Sequence, residues 1–202
     1  MTGFREIMVD VETGGPVPLY PLLSIGACDV IEPARYRFYA ELKPVSRLAA
    51  LPRSVRVSWP EATAAQTLAR LERDGLAPRT AIEQFAAWVE TVAAGRRPIF
   101  LAHNALFDWQ FINLAFHEHL GRNPFGIGGL DVPSFWTGRT NGDHLDSRFG
   151  KMPTELTAGL DGRRHNALND ALRQTEVLRR MRAGVGLAKA AIPSARHVDP
   201  LG

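Results

Sequence analysis

The stretch EIMVDVETGG, residues 6–15, determines the fold that we predict for this chain. Hydrophobic residues alternate along it, as in a strand whose two faces differ. One strand face carries Ile7, Val9 and Val11. The other face carries Asp10 and Glu12 side by side, and carboxylates are not buried without compensation. A lone Asp-x-Glu pair is more often a solvated sheet edge than a site, so its meaning depends on the rest of the chain.

Hydrophobic spacing along the remaining sequence predicts strands and helices in alternation. In chain order, we predict strands over 22–31 and 37–44, helices over 62–75 and 80–95, a strand over 97–103, a helix over 105–121, a further strand within 129–136, a polar loop over 137–153 and a helix over 167–184. Thr80 and Glu83 have the spacing of a capping box at a helix start. Three meander strands, followed by helices that alternate with short strands, predict an α/β fold with a mixed central sheet flanked by helices.

Composition and charge favour a globular protein of one domain. The chain has 202 residues, long enough to bury a core, and we predict a domain over 1–184 followed by a tail over 185–202. The sequence has no run of 18 apolar residues and no signal-peptide pattern, and its single cysteine, Cys28, lies in an apolar run. We therefore expect a cytoplasmic protein without a membrane segment. The net charge of +3 permits a polyanionic partner such as nucleic acid without requiring one.

Two more acidic residues lie where predicted helices begin. Asp108 falls in the first turns of the helix in AHNALFDWQF, residues 102–111. Asp170 opens the last helix in HNALND, residues 165–170, and His165 comes just before it. An acid near a helix N-terminus is favourable by itself, and Asn or Asp commonly caps a helix beside an incidental histidine. Each position alone therefore has a structural explanation.

Taken together, four carboxylates have the composition of a site for two divalent cations: Asp10, Glu12, Asp108 and Asp170. Mg²⁺ and Mn²⁺ prefer carboxylate oxygen and keep several waters, so about four acids suffice for a pair of ions. Two ions roughly 3.5–4 Å apart can hold the attacking and leaving oxygens of a phosphodiester in line. His165 could take the proton from the attacking water, because the ordinary pKa of histidine is about 6.5. These patterns do not establish that the three segments meet.

The three segments also resemble a known family. VDVETGG (residues 9–15), AHNALFDWQF and HNALNDALRQTEVL (residues 165–178) resemble, in this order, the three exonuclease motifs of the DEDDh family of 3′-5′ exonucleases. That family has a ribonuclease-H-like fold and includes proofreading exonuclease subunits, ribonuclease T and oligoribonuclease. The resemblance covers roughly residues 5–182, and the five-residue step from His165 to Asp170 is typical of the histidine branch.

The resemblance implies a role for each matching residue. Four acids would bind two Mg²⁺ or Mn²⁺ ions: Asp10, Glu12, Asp108 and Asp170. His165 would be the general base. Three further residues would bind substrate: Thr13, Asn104 and Phe107. Thr13 would seat the terminal 3′ hydroxyl, unless it is a turn residue. Phe107 would line the pocket of the last nucleotide, where an aromatic face can stack a base for about 1–3 kcal/mol, unless it belongs to the core.

The implied activity is hydrolysis of phosphodiester bonds at single-stranded 3′ ends of DNA or RNA, with release of nucleoside 5′-monophosphates. The alternative is a catalytically weak nucleic-acid-binding module on the same fold. Sugar preference, substrate length and the choice between monomer and homodimer stay open. Residues 45–80 add about one helix to what the resemblance requires. Asp131, in GLDVPSFW, is either a strand-end acid near the site or a structural turn residue.

Overall fold

The structure, a computed structural model, describes residues 3–46, 64–143, 147–160 and 165–187. In chain order its elements are β1 (Phe4–Thr13), β2 (Leu22–Asp29), β3 (Arg37–Glu41), α1 (Ala64–Asp74), α2 (Pro78–Ala93), β4 (Arg97–Ala102), α3 (Ala105–Leu120), β5 (Gly129–Asp131), α4 (Val132–Thr140), α5 (Thr154–Thr157) and α6 (Ala167–Arg182). Most of the predicted tail, residues 188–202, and part of the additional region, residues 47–63, lie outside the described residues. No helix within the described ranges has both the length and the apolar content needed to cross a membrane.

Five strands form one mixed sheet in the order β3-β2-β1-β4-β5. Strands β1, β2 and β3 pair antiparallel, β4 is parallel to β1, and β5 is parallel to β4. The predicted meander and the mixed α/β sheet are confirmed. The pairing of β1 with β4 ends at Met8 opposite Leu101, whereas β1 continues to Thr13. The end of β1 therefore projects beyond β4, which leaves that side of the strand accessible to side chains from other elements.

Both faces of the sheet are covered, and the alternation along β1 separates two cores. The first core contains Ile7, Val9 and Val11 together with buried residues of α2 and α3, such as Phe85 and Phe116. The second contains Met8 of β1, Cys28 of β2 and residues of α4 and α6, such as Trp136 and Leu178. Asp10 and Glu12 share the strand face of Met8. The two acids therefore face the side of the sheet on which α6 packs.

Gly26 brings α6 close to the sheet. This residue of β2 lies opposite Asp10 in the antiparallel pairing. A Cβ atom at Gly26 would lie 2.0 Å from the carbonyl carbon of Ala167, in the first turn of α6. Only a residue without a side chain permits such an approach of helix backbone to strand backbone. The first turn of α6 therefore lies directly over the strand that neighbours Asp10.

Two local predictions are wrong. Helix α2 begins at Pro78, with Ala77 as its N-cap and no side-chain cap, so Thr80 and Glu83 form no capping box at the helix start. Proline suits the first helical position because its fixed φ is helical and no N–H is needed there. The strand predicted within 129–136 is present as β5, which ends at Asp131 because α4 begins at Val132. The loop predicted over 137–153 is consequently helical up to Thr140.

Candidate active site

Three carboxylates from β1 and α6 converge at the projecting end of β1. One oxygen each from Asp10, Glu12 and Asp170 lie within 4.8 Å of one another. Asp170 reaches the strand because it lies in the first turn of α6, the turn that packs on Gly26. Glu12 is only 9% exposed, so the alternative of a solvated sheet edge is wrong for this residue. The structure thus brings the first and third motifs together.

Burial and neighbouring negative charge keep protons on Asp10 and Glu12 when no cation is near. Burial is the main cause that raises the pKa of Asp10 to about 8, and the negative charge of Asp170 is the second. Burial also raises the pKa of Glu12 to about 9, with the charges of Asp10 and Asp170 adding to the effect. Like charges at this separation disfavour simultaneous ionisation. The three groups could therefore hold a divalent cation, whose charge would offset both causes.

Asp108 joins this site from the other side of β1. It is 3% exposed, and its Oδ1 accepts a 3.0 Å hydrogen bond from the backbone N–H of Val11. That N–H lies on the part of β1 that projects beyond β4, so the carboxylate takes the place of a strand neighbour. Burial raises the pKa of Asp108 well above its usual range, and the charge of Asp10 is the next cause. The second motif therefore meets the first, although Asp108 lies outside the group of three.

His165 and Asp170 are connected through the start of α6. Asn166 is the N-cap, and its side chain accepts a 3.1 Å hydrogen bond from the N–H of Asn169. The Asp170 carboxylate accepts a 2.8 Å hydrogen bond from the backbone N–H of His165, whose φ is 64°. His165 is exposed and lines a cavity of about 250 Å³ together with Asp10 and Asp170. Asn166 is therefore the residue that caps the helix, and the imidazole of His165 lies at the cavity.

The residues predicted to bind substrate have structural contacts of their own. The hydroxyl of Thr13 donates a 2.8 Å hydrogen bond to the carbonyl of Gly15, which is a turn interaction. Phe107 is half-buried, packs against the first core and lies 5.4 Å from the ring of Phe111. Asn104 is exposed, with φ 63°, directly before α3. The substrate roles of these three residues stay predictions.

Asp131 has the structural role that the sequence left as an alternative. Its Oδ1 accepts a 2.8 Å hydrogen bond from the N–H of Ala105 at the start of α3. Its Oδ2 accepts hydrogen bonds from both the N–H and the hydroxyl of Ser134, at 2.9 and 2.6 Å. Both oxygens therefore accept hydrogen bonds from residues at the start of a helix, and Asp131 connects α3 to α4 beside the site.

Two further residues of α6 line the cavity and were missed by the sequence analysis: Arg173 and Gln174. The Gln174 amide donates a 2.6 Å hydrogen bond to Asp10 Oδ1. Arg173 Nη1 lies 3.8 Å from Asp170 Oδ1, and its guanidinium lies 5.8 Å from the ring centre of Phe149. Their positions three and four residues after Asp170 place them on the same helix face, which is the signal that could have identified them.

This sheet with flanking helices is the fold of DEDDh exonucleases. The nuclease domain of 3′hExo, a DEDDh family member solved with bound rAMP, aligns with a TM-score of 0.66 at 12% identity over 89% of this chain and 92% of that one. Pop2p of S. pombe, solved in a Mg²⁺- and Mn²⁺-bound form, aligns with a TM-score of 0.50 at 12% identity over 94% and 86% of the two chains. The ribonuclease-H-like fold predicted from the sequence is therefore confirmed.

Sequence comparison gives the family. The model of the 3′-5′ exoribonuclease Rv2179c-like domain matches residues 5–181. The 3′-5′ DNA exonuclease Cap18 of Escherichia coli is 38% identical over 175 residues, which cover 86% of this chain and 89% of Cap18. The chain therefore belongs to the Rv2179c-like 3′-5′ exoribonuclease domain family. It is a nuclease of the 3′-5′ exonuclease class, as its three motifs predicted.

Proposed function

We propose that this exonuclease hydrolyses single-stranded nucleic acid from the 3′ end with two divalent cations and releases nucleoside 5′-monophosphates. Four acids would hold the cations: Asp10, Glu12, Asp108 and Asp170. The observation that carries the proposal is the convergence of carboxylate oxygens from Asp10, Glu12 and Asp170 within 4.8 Å at the end of β1. The buried carboxylate of Asp108 on the other side of that strand end supports the fourth position.

The residues present fit Mg²⁺ or Mn²⁺. All the donors are carboxylate oxygens, the ligands that these hard cations prefer. Burial and the charge of neighbouring carboxylates raise the pKa values of Asp10 and Glu12 to about 8 and about 9, which is a cost that cation binding would relieve. When bound, the cations would supply positive charge for the oxygens of the phosphodiester and favour ionisation of water.

His165 is the proposed general base. Its side chain is exposed at the cavity that Asp10 and Asp170 also line, so a water molecule there is within reach of the imidazole. An imidazole nitrogen takes a proton from the water as its oxygen bonds to phosphorus and the bond to the 3′ oxygen breaks. The products are a nucleoside 5′-monophosphate and a strand one nucleotide shorter with a 3′ hydroxyl. The backbone bond from His165 to Asp170 holds the base next to a proposed cation ligand.

The names of the relatives include both RNA and DNA exonucleases. The family model is named for exoribonucleases, whereas Cap18 of E. coli is named as a DNA exonuclease. The proposed substrate is therefore a single-stranded 3′ end of either sugar, and both belong in the assay. Thr13 and Phe107 are the residues that we propose to contact the terminal nucleotide, through the hydroxyl and the aromatic face. A homodimer and a cytoplasmic location also stay predictions, the first of which sedimentation analysis would test.

The decisive experiment follows 5′-labelled single-stranded DNA and RNA on a gel, with Mn²⁺ or with EDTA, for the wild type and Asp10→Asn. The proposal predicts a ladder that shortens from the 3′ end, requires Mn²⁺ and is absent with the variant. His165→Ala should slow hydrolysis by roughly 10²–10⁴-fold and keep Mn²⁺ binding. An active Asp10→Asn protein would contradict the mechanism. Binding of the oligonucleotides without hydrolysis in any lane would instead favour the nucleic-acid-binding module.

A further inference from the structure

Gln174 links the cluster of acids to the start of α3. Its Nε2 donates a 2.6 Å hydrogen bond to Asp10 Oδ1, and its Oε1 accepts a 3.2 Å hydrogen bond from the backbone N–H of His103. The side chain is 6% exposed and lies in the second turn of α6. One amide thus joins β1, α6 and the junction between β4 and α3, three elements that are far apart in sequence.

The two hydrogen bonds of the Gln174 amide determine which way its oxygen and nitrogen face. Because the His103 N–H can only donate, it requires the carbonyl oxygen of Gln174 on its side, and the amide nitrogen must then face Asp10. The carboxylate of Asp10 is therefore held by a neutral donor, which orients it without cancelling the charge that a cation would need.

We infer that Gln174 is a positioning residue that holds Asp10 in the orientation required to bind the divalent cations. The inference rests on the proposed function. Hydrogen-bond partners of metal ligands fix ligand orientation, and their loss typically costs 10–100-fold in metal affinity or activity. The neutral amide is suited to this position, because a Lys or Arg would add a positive charge that repels the cation.

The test compares Gln174→Met with Gln84→Met. Methionine has nearly the length and volume of glutamine and cannot donate to Asp10. Gln84 is exposed on α2 and supplies a matched control for the same substitution. The measurements are the Kd for Mn²⁺ by calorimetry without substrate, the Tm in EDTA, and kcat and KM on a single-stranded oligonucleotide. Gln174→Glu is the second variant, because it keeps an acceptor for His103 and places a carboxylate oxygen against Asp10.

The expected result is a 10–100-fold higher Kd for Mn²⁺ in Gln174→Met, with a lower kcat and a KM within about threefold of the wild type. Gln174→Glu should lower kcat at least as much, since it replaces the donor to Asp10 by a repelling acceptor. Gln84→Met should match the wild type. If both Gln174 variants change only the Tm in EDTA, the residue is purely structural and the inference is wrong. If the wild type binds no Mn²⁺, the proposed function fails and the inference fails with it.

Discussion

Gly26→Ala should reduce both stability and activity, although Gly26 contacts no substrate in the proposed mechanism. The added Cβ would lie 2.0 Å from the Ala167 carbonyl carbon and 2.1 Å from the Leu168 nitrogen. Real Cβ contacts essentially never fall below 3.0 Å, so strand and helix must separate by at least about 1 Å. Both neighbours are backbone atoms, and no side-chain rotation can relieve the contact. Overpacking of this kind typically costs about 1–3 kcal/mol.

The same displacement moves Asp170 away from Asp10 and Glu12. A misplacement of about 1 Å in a catalytic arrangement can cost about 10²-fold in rate, which is the loss that we expect in kcat. Thermal unfolding in EDTA measures the stability, and single-turnover hydrolysis of a labelled oligonucleotide in saturating Mn²⁺ measures the activity. The matched control is Gly138→Ala, since Gly138 lies in α4 with no atom within 4 Å of an added Cβ. Alanine there should stabilise the helix by about 0.5–1 kcal/mol. Equal activity in the two variants would refute the role assigned to Gly26.

Three further predictions concern the acids themselves. In EDTA, the free energy of unfolding should fall as pH rises from about 4 to about 9. The reason is that the folded protein keeps protons on Asp10 and Glu12 that the unfolded chain releases at their lower ordinary pKa values. Urea unfolding across this pH range tests the prediction, and the Asp10→Asn/Glu12→Gln protein should show a flatter profile. Mn²⁺ at 100 times its Kd should stabilise the wild type by about 2.7 kcal/mol. The gain in Tm should shrink at low pH, where protons compete with Mn²⁺ for the carboxylates. A thermal unfolding scan without any shift in Tm at millimolar Mn²⁺ would count against the cation site. Asp108→Asn should lose activity and keep its Tm in EDTA, because the amide oxygen can still accept a hydrogen bond from the Val11 N–H. Asp108→Ala leaves that N–H unpaired and should lower the free energy of unfolding by about 1–3 kcal/mol. Equal Tm values for the two variants would contradict this explanation.

The family and most of the elements could be predicted from the sequence because their signals are local. Alternation along residues 6–12 separates the face of Val9 from the face of Asp10 whatever the rest of the chain does. Helical spacing similarly predicted α3 and its end at Gly121, which has φ 68°. Where two local signals competed, the prediction was less accurate, as at the start of α2. There the proline at Pro78 outweighed the capping spacing of Thr80.

Only the tertiary structure decided how the acids meet and what holds them. Gly26 pairs with Asp10 on the neighbouring strand, and its contact with Ala167 in the first turn of α6 joins residues that are more than 140 positions apart. Sequence periodicity gives the face on which a residue lies, but it contains no information on which strand becomes a neighbour or how far that strand extends. The end of β4 at Ala102 exposes the Val11 N–H to Asp108, and the crossing of α6 over β2 places Gln174 against Asp10. These contacts depend on strand order and register, which are set by packing of the whole chain.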